Sequence, residues 1–210
     1  MKLAIAIPMK PLSQAKSRLR PALDNRARQS LASAMLKTVM QVALKSGEAS
    51  ALGVISADKN LLPEQSLGPF ELILESAPTG YNQAVKRAIA WAQSKNCEAL
   101  LILPSDLPLI TPDDISNMAR LATLCPRSVV LAPDARFFGT NALLLRPPHI
   151  LAPAFGPDSA RRHRQLAREQ HLSTLIYTSP TLSHDIDLPA DLAFLPHAPT
   201  PPQNNALSSS

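Results

Sequence analysis

Apolar and polar positions alternate in blocks along this chain. Residues 3–7, Leu-Ala-Ile-Ala-Ile, form a continuous apolar run that stops at Pro8. Such a run predicts a strand covered on both faces. Residues 25–45 follow with helical spacing: Leu31, Met35, Val39, Val42 and Leu44 fall near one stripe, and Gly47 is a stop signal. Further apolar runs at 51–56, 72–74, 99–103, 128–132, 141–145 and 173–177 predict six more strands. Between them, 81–94, 111–124 and 158–170 predict helices, and 188–192 opens a last short one. Thr111-Pro112-Asp113-Asp114 is a helix start with a Thr cap, Pro at the first position and acids in the first turn. Alternating β and α segments predict an α/β fold, a mostly parallel, doubly wound sheet with helices on both faces.

At 210 residues the chain suits one domain, read here as 1–195, with 196–210 as a Pro/Ser-rich disordered tail. No apolar run approaches the roughly 18 residues that span a bilayer. The first run ends after about five residues, short of the roughly 7–15 of a signal-peptide core, so a cytoplasmic protein is expected. Cys97 and Cys125 lack metal-ligand spacing and are expected to be reduced. The net charge of +5 is uneven. Eight Lys/Arg stand against Asp24 alone between Met1 and Lys37, and Arg161, Arg162, Arg164 and Arg168 form a second cluster. Basic clusters suit anionic partners. Aromatic residues are only 4% and none interleaves with the basic runs, which counts against nucleic acid.

The candidate chemistry gathers at strand ends. Strand one empties into a loop with Lys10, Lys16 and Arg18, placed to face triphosphate charge at the sheet rim. Asp106 follows the most apolar strand directly. Asp185 and Asp187 are two apart, so in extended chain they point to one side while Ile186 points to the core. Carboxylates held that close repel unless a cation joins them. Mg²⁺, which takes oxygen ligands and substrate phosphates, fits Asp106, Asp185 and Asp187. Gly139-Thr140-Asn141 and Phe155-Gly156-Pro157-Asp158-Ser159 read as two anion cradles. Thr79-Gly80-Tyr81-Asn82 opens a helix and could hold base or ribose, with Asn82 hydrogen-bonding. No Walker A pattern and no nucleophilic triad occurs. His184, beside Asp185, is the one histidine to watch.

These strings resemble, in order from Met1 to about Leu195, the guanylyltransferases of deazaflavin coenzyme F-420 biosynthesis. Ile7-Pro8-Met9-Lys10-Pro11-Leu12 with Ala15-Lys16-Ser17-Arg18-Leu19 carries the resemblance first. Leu103-Pro104-Ser105-Asp106-Leu107-Pro108-Leu109, Gly139-Thr140-Asn141-Ala142-Leu143, Phe155-Gly156-Pro157-Asp158-Ser159 and His184-Asp185-Ile186-Asp187 complete it. The resemblance implies a nucleotide-diphospho-sugar transferase type of fold. It implies GMP transfer from GTP to a small phosphorylated carboxylic acid, with Mg²⁺ and release of pyrophosphate. Phosphoenolpyruvate is the acceptor expected, with 2-phospho-L-lactate and 3-phospho-D-glycerate as alternatives. By the same resemblance Asp106, Asp185 and Asp187 hold metal, and Thr140, Gly156 and Ser159 hold the acceptor. Pro8, Lys10, Lys16, Arg18, Thr79, Gly80, Asn82 and Asp106 hold the nucleotide, with Asp106 and Lys16 catalytic. A homodimer is a further expectation from relatives. The chain departs from the family pattern at Tyr81, in the turn before Asn82, and at Phe137-Phe138, where glycines are common. Two other readings stay open: a transferase of the same fold acting on a sugar phosphate or molybdopterin, and a non-catalytic basic module that binds RNA or acidic protein.

Overall fold

The computed structural model describes residues 1–61 and 68–195. The expected tail, 196–210, lies outside the described residues.

Strand β1 (Leu3–Pro8) is buried at every position and shows how the sheet divides two cores. Leu3, Ile5 and Ile7 enter one core with Leu36, Val39 and Met40 of helix α1 (Asn25–Lys45) and Met118 of α3 (Pro112–Thr123). Ala4 and Ala6 face the other, with Val85, Ala88 and Trp91 of α2 (Tyr81–Ser94) and Ala160 and Ala167 of α4 (Ser159–Glu169). A two-sided strand must be apolar throughout, which is why the sequence shows a run rather than an alternation.

The other strands are β2 (Ala49–Ser56), β3 (Glu71–Leu74), β4 (Ala99–Ile102), β5 (Ser128–Pro133), β6 (Thr140–Arg146) and β7 (Ser173–Ile176). They form one sheet in the order β3-β2-β1-β4-β6-β5-β7. Pairing is parallel except at β6, which runs antiparallel to both β4 and β5. The short link from β5 to β6 explains the reversal, because a parallel return needs a crossover of roughly a dozen residues or more. Asp134 braces that link: its carboxylate accepts from the backbone N–H of Arg136, Phe138 and Gly139 at 3.1, 2.9 and 2.9 Å.

The buried stripe of α1 differs from the expected one. Ala32, Met35, Leu36, Val39, Met40 and Ala43 are buried, whereas Leu31, Val42 and Leu44 are only partly so. Spacings of three and four from Ala32 through Leu36 and Val39 to Ala43 track the sheet, and Met35 turns to a small cluster with Leu19 and Ile186. Helix α3 begins as expected, with a capping box between Thr111 and Asp114. The last helical segment is a 3₁₀ helix, Pro189–Phe194. No helix among the described residues is long and apolar enough to cross a membrane.

Candidate active site

Parallel neighbours β1 and β4 end at the same rim, where ligands bind in open α/β sheets. Beyond β1 the chain makes two 3₁₀ turns, Leu12–Gln14 and Ser17–Leu19. Lys16 joins them in a left-handed conformation, φ 51° and ψ 40°, which costs energy for a residue with a Cβ. Its side chain is 8% exposed, and Nζ lies 2.5 Å from Asp106 Oδ2 and 3.2 Å from Asp187 Oδ1. Arg18 reaches Asp187 Oδ2 from solvent at 3.2 Å.

Asp106 and the 185–187 segment meet through backbone: the Ile186 N–H donates to the Asp106 carbonyl at 3.2 Å. Ile186 is fully buried, so Asp185 and Asp187 turn back to Asp106. Ligand oxygens of the three aspartates lie within 4.8 Å of one another. Capping of the last helix falls to Asp191, whose carboxylate accepts from the N–H groups of Asp187 and Leu188 at 2.9 and 2.6 Å. The Asp187 carboxylate is thereby left for the site.

The electrostatics follow from this crowding. Burial pushes the Asp185 carboxyl up to about 6, and the charges of Asp106 and Asp187 add to the effect. Burial works against the Lys16 charge, but Asp106 and Asp187 outweigh it and hold the ammonium above its usual range. Asp106 Oδ1 is buried with no hydrogen-bond partner. A buried orphan oxygen among three hard oxygen donors fits a divalent metal ion.

A cleft of about 270 Å³ opens over these residues, lined by Lys10, Lys16, Arg18, Tyr81, Asp106 and Asp187. A second cavity of about 190 Å³ adjoins it, and Pro8, Met9, Lys10 and Tyr81 belong to both. Gly80 lines the second cavity with φ +95°, a conformation that favours glycine. Thr79 donates its hydroxyl to Glu75 Oε1 at 3.1 Å. Asn82 is turned elsewhere. Its Nδ2 donates to the Phe155 carbonyl at 3.0 Å and its Oδ1 accepts from the Phe155 N–H at 2.8 Å. Expected to hydrogen-bond base or ribose, it has both ends of its amide on another loop.

Of Thr140, Gly156 and Ser159, Thr140 meets His163, which is fully buried. The Ala154 N–H donates to His163 Nε2 at 3.0 Å, so Nδ1 carries the proton and donates to Thr140 Oγ1 at 3.1 Å. Thr140 then keeps its own hydroxyl proton for another acceptor. Burial and the neighbouring Arg162 push the His163 pKa down to about 4, so the ring is neutral. Gly156 sits at φ +119°, and Ser159, buried, begins α4. The Gly139 amide, read as part of an anion cradle, is instead spent on Asp134. His184 stacks on Phe194 with ring centroids 4.3 Å apart.

Three residues of the region escaped the sequence reading: Glu75, Tyr81 as a buried unpaired hydroxyl, and His163. His163 lies four residues after Ser159 on one helix face, a signal masked by the surrounding arginines.

Comparisons with known proteins agree over nearly the whole chain. The phosphoenolpyruvate guanylyltransferase of Rubrobacter xylanophilus is 38% identical over 196 residues, 93% of this chain and 94% of the relative. The 3-phospho-D-glycerate guanylyltransferase of Colwellia psychrerythraea is 32% identical over 93% and 91% of the two chains. The 2-phospho-L-lactate guanylyltransferase of Methanothermobacter thermautotrophicus is 35% identical over 91% and 83%. Among solved structures, a nucleotide-diphospho-sugar transferase from Desulfovibrio desulfuricans G20 superposes with a TM-score of 0.71 at 18% identity, covering 90% of this chain and 84% of its own. A 4-diphosphocytidyl-2C-methyl-D-erythritol synthase gives 0.63 at 11% identity over 92% and 96%. The fold is therefore the nucleotide-diphospho-sugar transferase type that the resemblance implied. The family profile described as guanylyl transferase CofC like matches residues 3–197, and the chain belongs to that family of nucleotidyltransferases.

Proposed function

We propose that this protein transfers GMP from GTP to phosphoenolpyruvate and releases pyrophosphate, a step in coenzyme F-420 biosynthesis carried out in the cytoplasm. The observation that carries the reading is the meeting of one buried lysine with three convergent aspartates at a cleft of the sheet rim, in a chain of this family. The names of the Rubrobacter relative and of a second, from Sphaerobacter thermophilus at 36% identity, favour phosphoenolpyruvate as acceptor.

Asp106, Asp185 and Asp187 are the residues that would hold Mg²⁺. Bound there, the ion would neutralise charge on the phosphates as pyrophosphate departs. Lys10, Lys16 and Arg18 bind the triphosphate, and Lys16, fixed by two carboxylates, orients it. Thr140, Gly156 and Ser159 hold the acceptor's anionic groups, Thr140 through the hydroxyl proton that His163 leaves it. A phosphate oxygen of the acceptor attacks the α-phosphorus. That P–O bond forms as the bond to the β-phosphate oxygen breaks, and its electron pair leaves with pyrophosphate. The attacking oxygen is already ionised at neutral pH, so the site needs no general base. Catalysis is positioning plus charge neutralisation.

Pyrophosphate release from GTP and Mg²⁺, with phosphoenolpyruvate, 2-phospho-L-lactate and 3-phospho-D-glycerate supplied separately, tests this. Release with phosphoenolpyruvate above the other two is expected. A different acceptor would replace the substrate assignment, and silence with all three would remove it.

A further inference from the structure

We infer that Glu75 reads the base of the nucleotide and selects guanine, an assignment that rests on GTP being the donor.

Glu75 stands directly beyond β3, tied to the sheet by its N–H on the Ser56 carbonyl at 2.9 Å. Its side chain is 6% exposed. Oε1 is engaged twice: the Thr79 hydroxyl donates to it at 3.1 Å and Arg87 Nε lies 3.4 Å away. Among the described residues no donor reaches Oε2. A mostly buried carboxylate with one oxygen engaged and the other without a protein partner can accept from a bound ligand.

Glu75 lines the second cavity, whose other walls include Pro8, Met9, Pro11, Pro78 and Tyr81. Lys10 and Gln14 also line it, and Glu75 is its one carboxylate. Mostly apolar walls with a few polar groups suit an aromatic heterocycle held by its faces and read at one edge. The cavity joins the cleft of Lys16 and Arg18 across Lys10, so a base lodged there leads its phosphates to those cations.

Guanine alone among the common bases presents two adjacent donors, N1–H and the 2-amino group, with no acceptor between them. A carboxylate is acceptor-only and matches that edge. Adenine and cytosine would set a ring-nitrogen acceptor against it, and uracil two carbonyls. Arg87 and Thr79 hold the carboxylate in place before the nucleotide arrives, so little ordering remains at binding.

Nucleotide binding measured calorimetrically with Mg²⁺ and no acceptor tests the assignment apart from turnover. Removing the 2-amino group removes one charge-assisted hydrogen bond, so the unaltered protein should bind ITP roughly tenfold to a hundredfold more weakly than GTP. In Glu75→Gln the donors of Thr79 and Arg87 keep the amide oxygen at the Oε1 position, and the NH₂ group takes the place of Oε2. That group opposes the 2-amino group of guanine and complements the 2-oxo group of xanthine. GTP should weaken, XTP should strengthen, and the order of the two should approach inversion. Such a gain cannot come from a damaged fold. Equal binding of GTP and ITP by the unaltered protein would overturn the assignment even without a folded variant, as would an unchanged preference for GTP over XTP in Glu75→Gln. If binding follows the expected pattern while no acceptor supports turnover, the base assignment stands and the transfer reading falls.

Discussion

Lys16 and Asp106 lie ninety positions apart and share an ion pair of 2.5 Å, Nζ to Oδ2, with only 8% of the lysine side chain exposed. The ammonium already occupies part of the space between the aspartates. Lys16→Met should therefore separate two effects. Turnover should fall by roughly a hundredfold to a thousandfold, the scale for losing one preorganised charge contact. Mg²⁺ should bind at lower concentration, because the carboxylates lose their resident cation. Initial rates and a Mg²⁺ titration of Tm measure the two separately.

Asp187→Asn should abolish turnover and spare the fold. The Asp187 side chain is 43% exposed, and the cap at the last helix is made by Asp191. Asparagine keeps an oxygen acceptor for the Lys16 ammonium, which Asp106 still pairs, so Tm should fall only slightly. Pyrophosphate release and a thermal melt on the same sample decide it. Near-normal turnover would take Asp187 out of the metal set.

One partly buried and one fully buried group pull stability in opposite directions with pH. Asp185, pushed from 3.8 to about 6, binds a proton in the folded chain that the unfolded chain releases, so its contribution is lost as pH rises through about 6. His163, lowered from 6.5 to about 4, stays neutral when folded, and its contribution is lost as pH falls through that window. Without metal the two slopes oppose, and Tm should change little between about pH 4 and 6. His163→Asn should leave stability falling as pH rises, and Asp185→Asn should leave it rising. Added Mg²⁺ should raise Tm more at pH 7 than at pH 5, because bound carboxylates must be ionised. Melts of the three proteins across pH check each sign.

His163 should act on the acceptor and not on the nucleotide. His163→Asn can place its amide N–H near the former Nδ1 and restore the bond to Thr140, whereas His163→Gln can place its oxygen near the former Nε2 and restore the bond from Ala154. If the oriented Thr140 hydroxyl holds the acceptor, Asn should keep KM for the acceptor nearer the original than Gln does. KM for GTP should be unchanged in both. Equal losses in the two variants would mean that the ring only fills space.

The rim of the site was legible because its signals are local. A two-faced strand running into cations, and two carboxylates two positions apart around a buried isoleucine, need no partner to be read. Long-range ties left no such trace. Asn82 and Phe155 are 73 positions apart, and nothing near Asn82 says its amide is spent on a distant loop. The left-handed turn at Lys16 was equally silent, because no glycine marks it. The direction of β6 was hidden for another reason: an apolar run is the same read either way, and only the short braced link at Asp134 tells the chain to turn back.

That reversal has a consequence for what the rim offers a substrate. Six strands point their carboxyl ends the same way. β6 brings its amino end to this edge instead, with Thr140 at its first position and Asn141 next, whose Nδ2 donates to the Leu182 carbonyl at 2.9 Å. A single inverted strand thus sets Thr140 and Asn141 at the rim, beside the cluster of aspartates, with Asn141 Nδ2 3.5 Å from Asp185 Oδ1. Under the proposed reaction, this topology would put the residue that holds the acceptor next to the carboxylates that hold the metal, so that one sheet edge serves both.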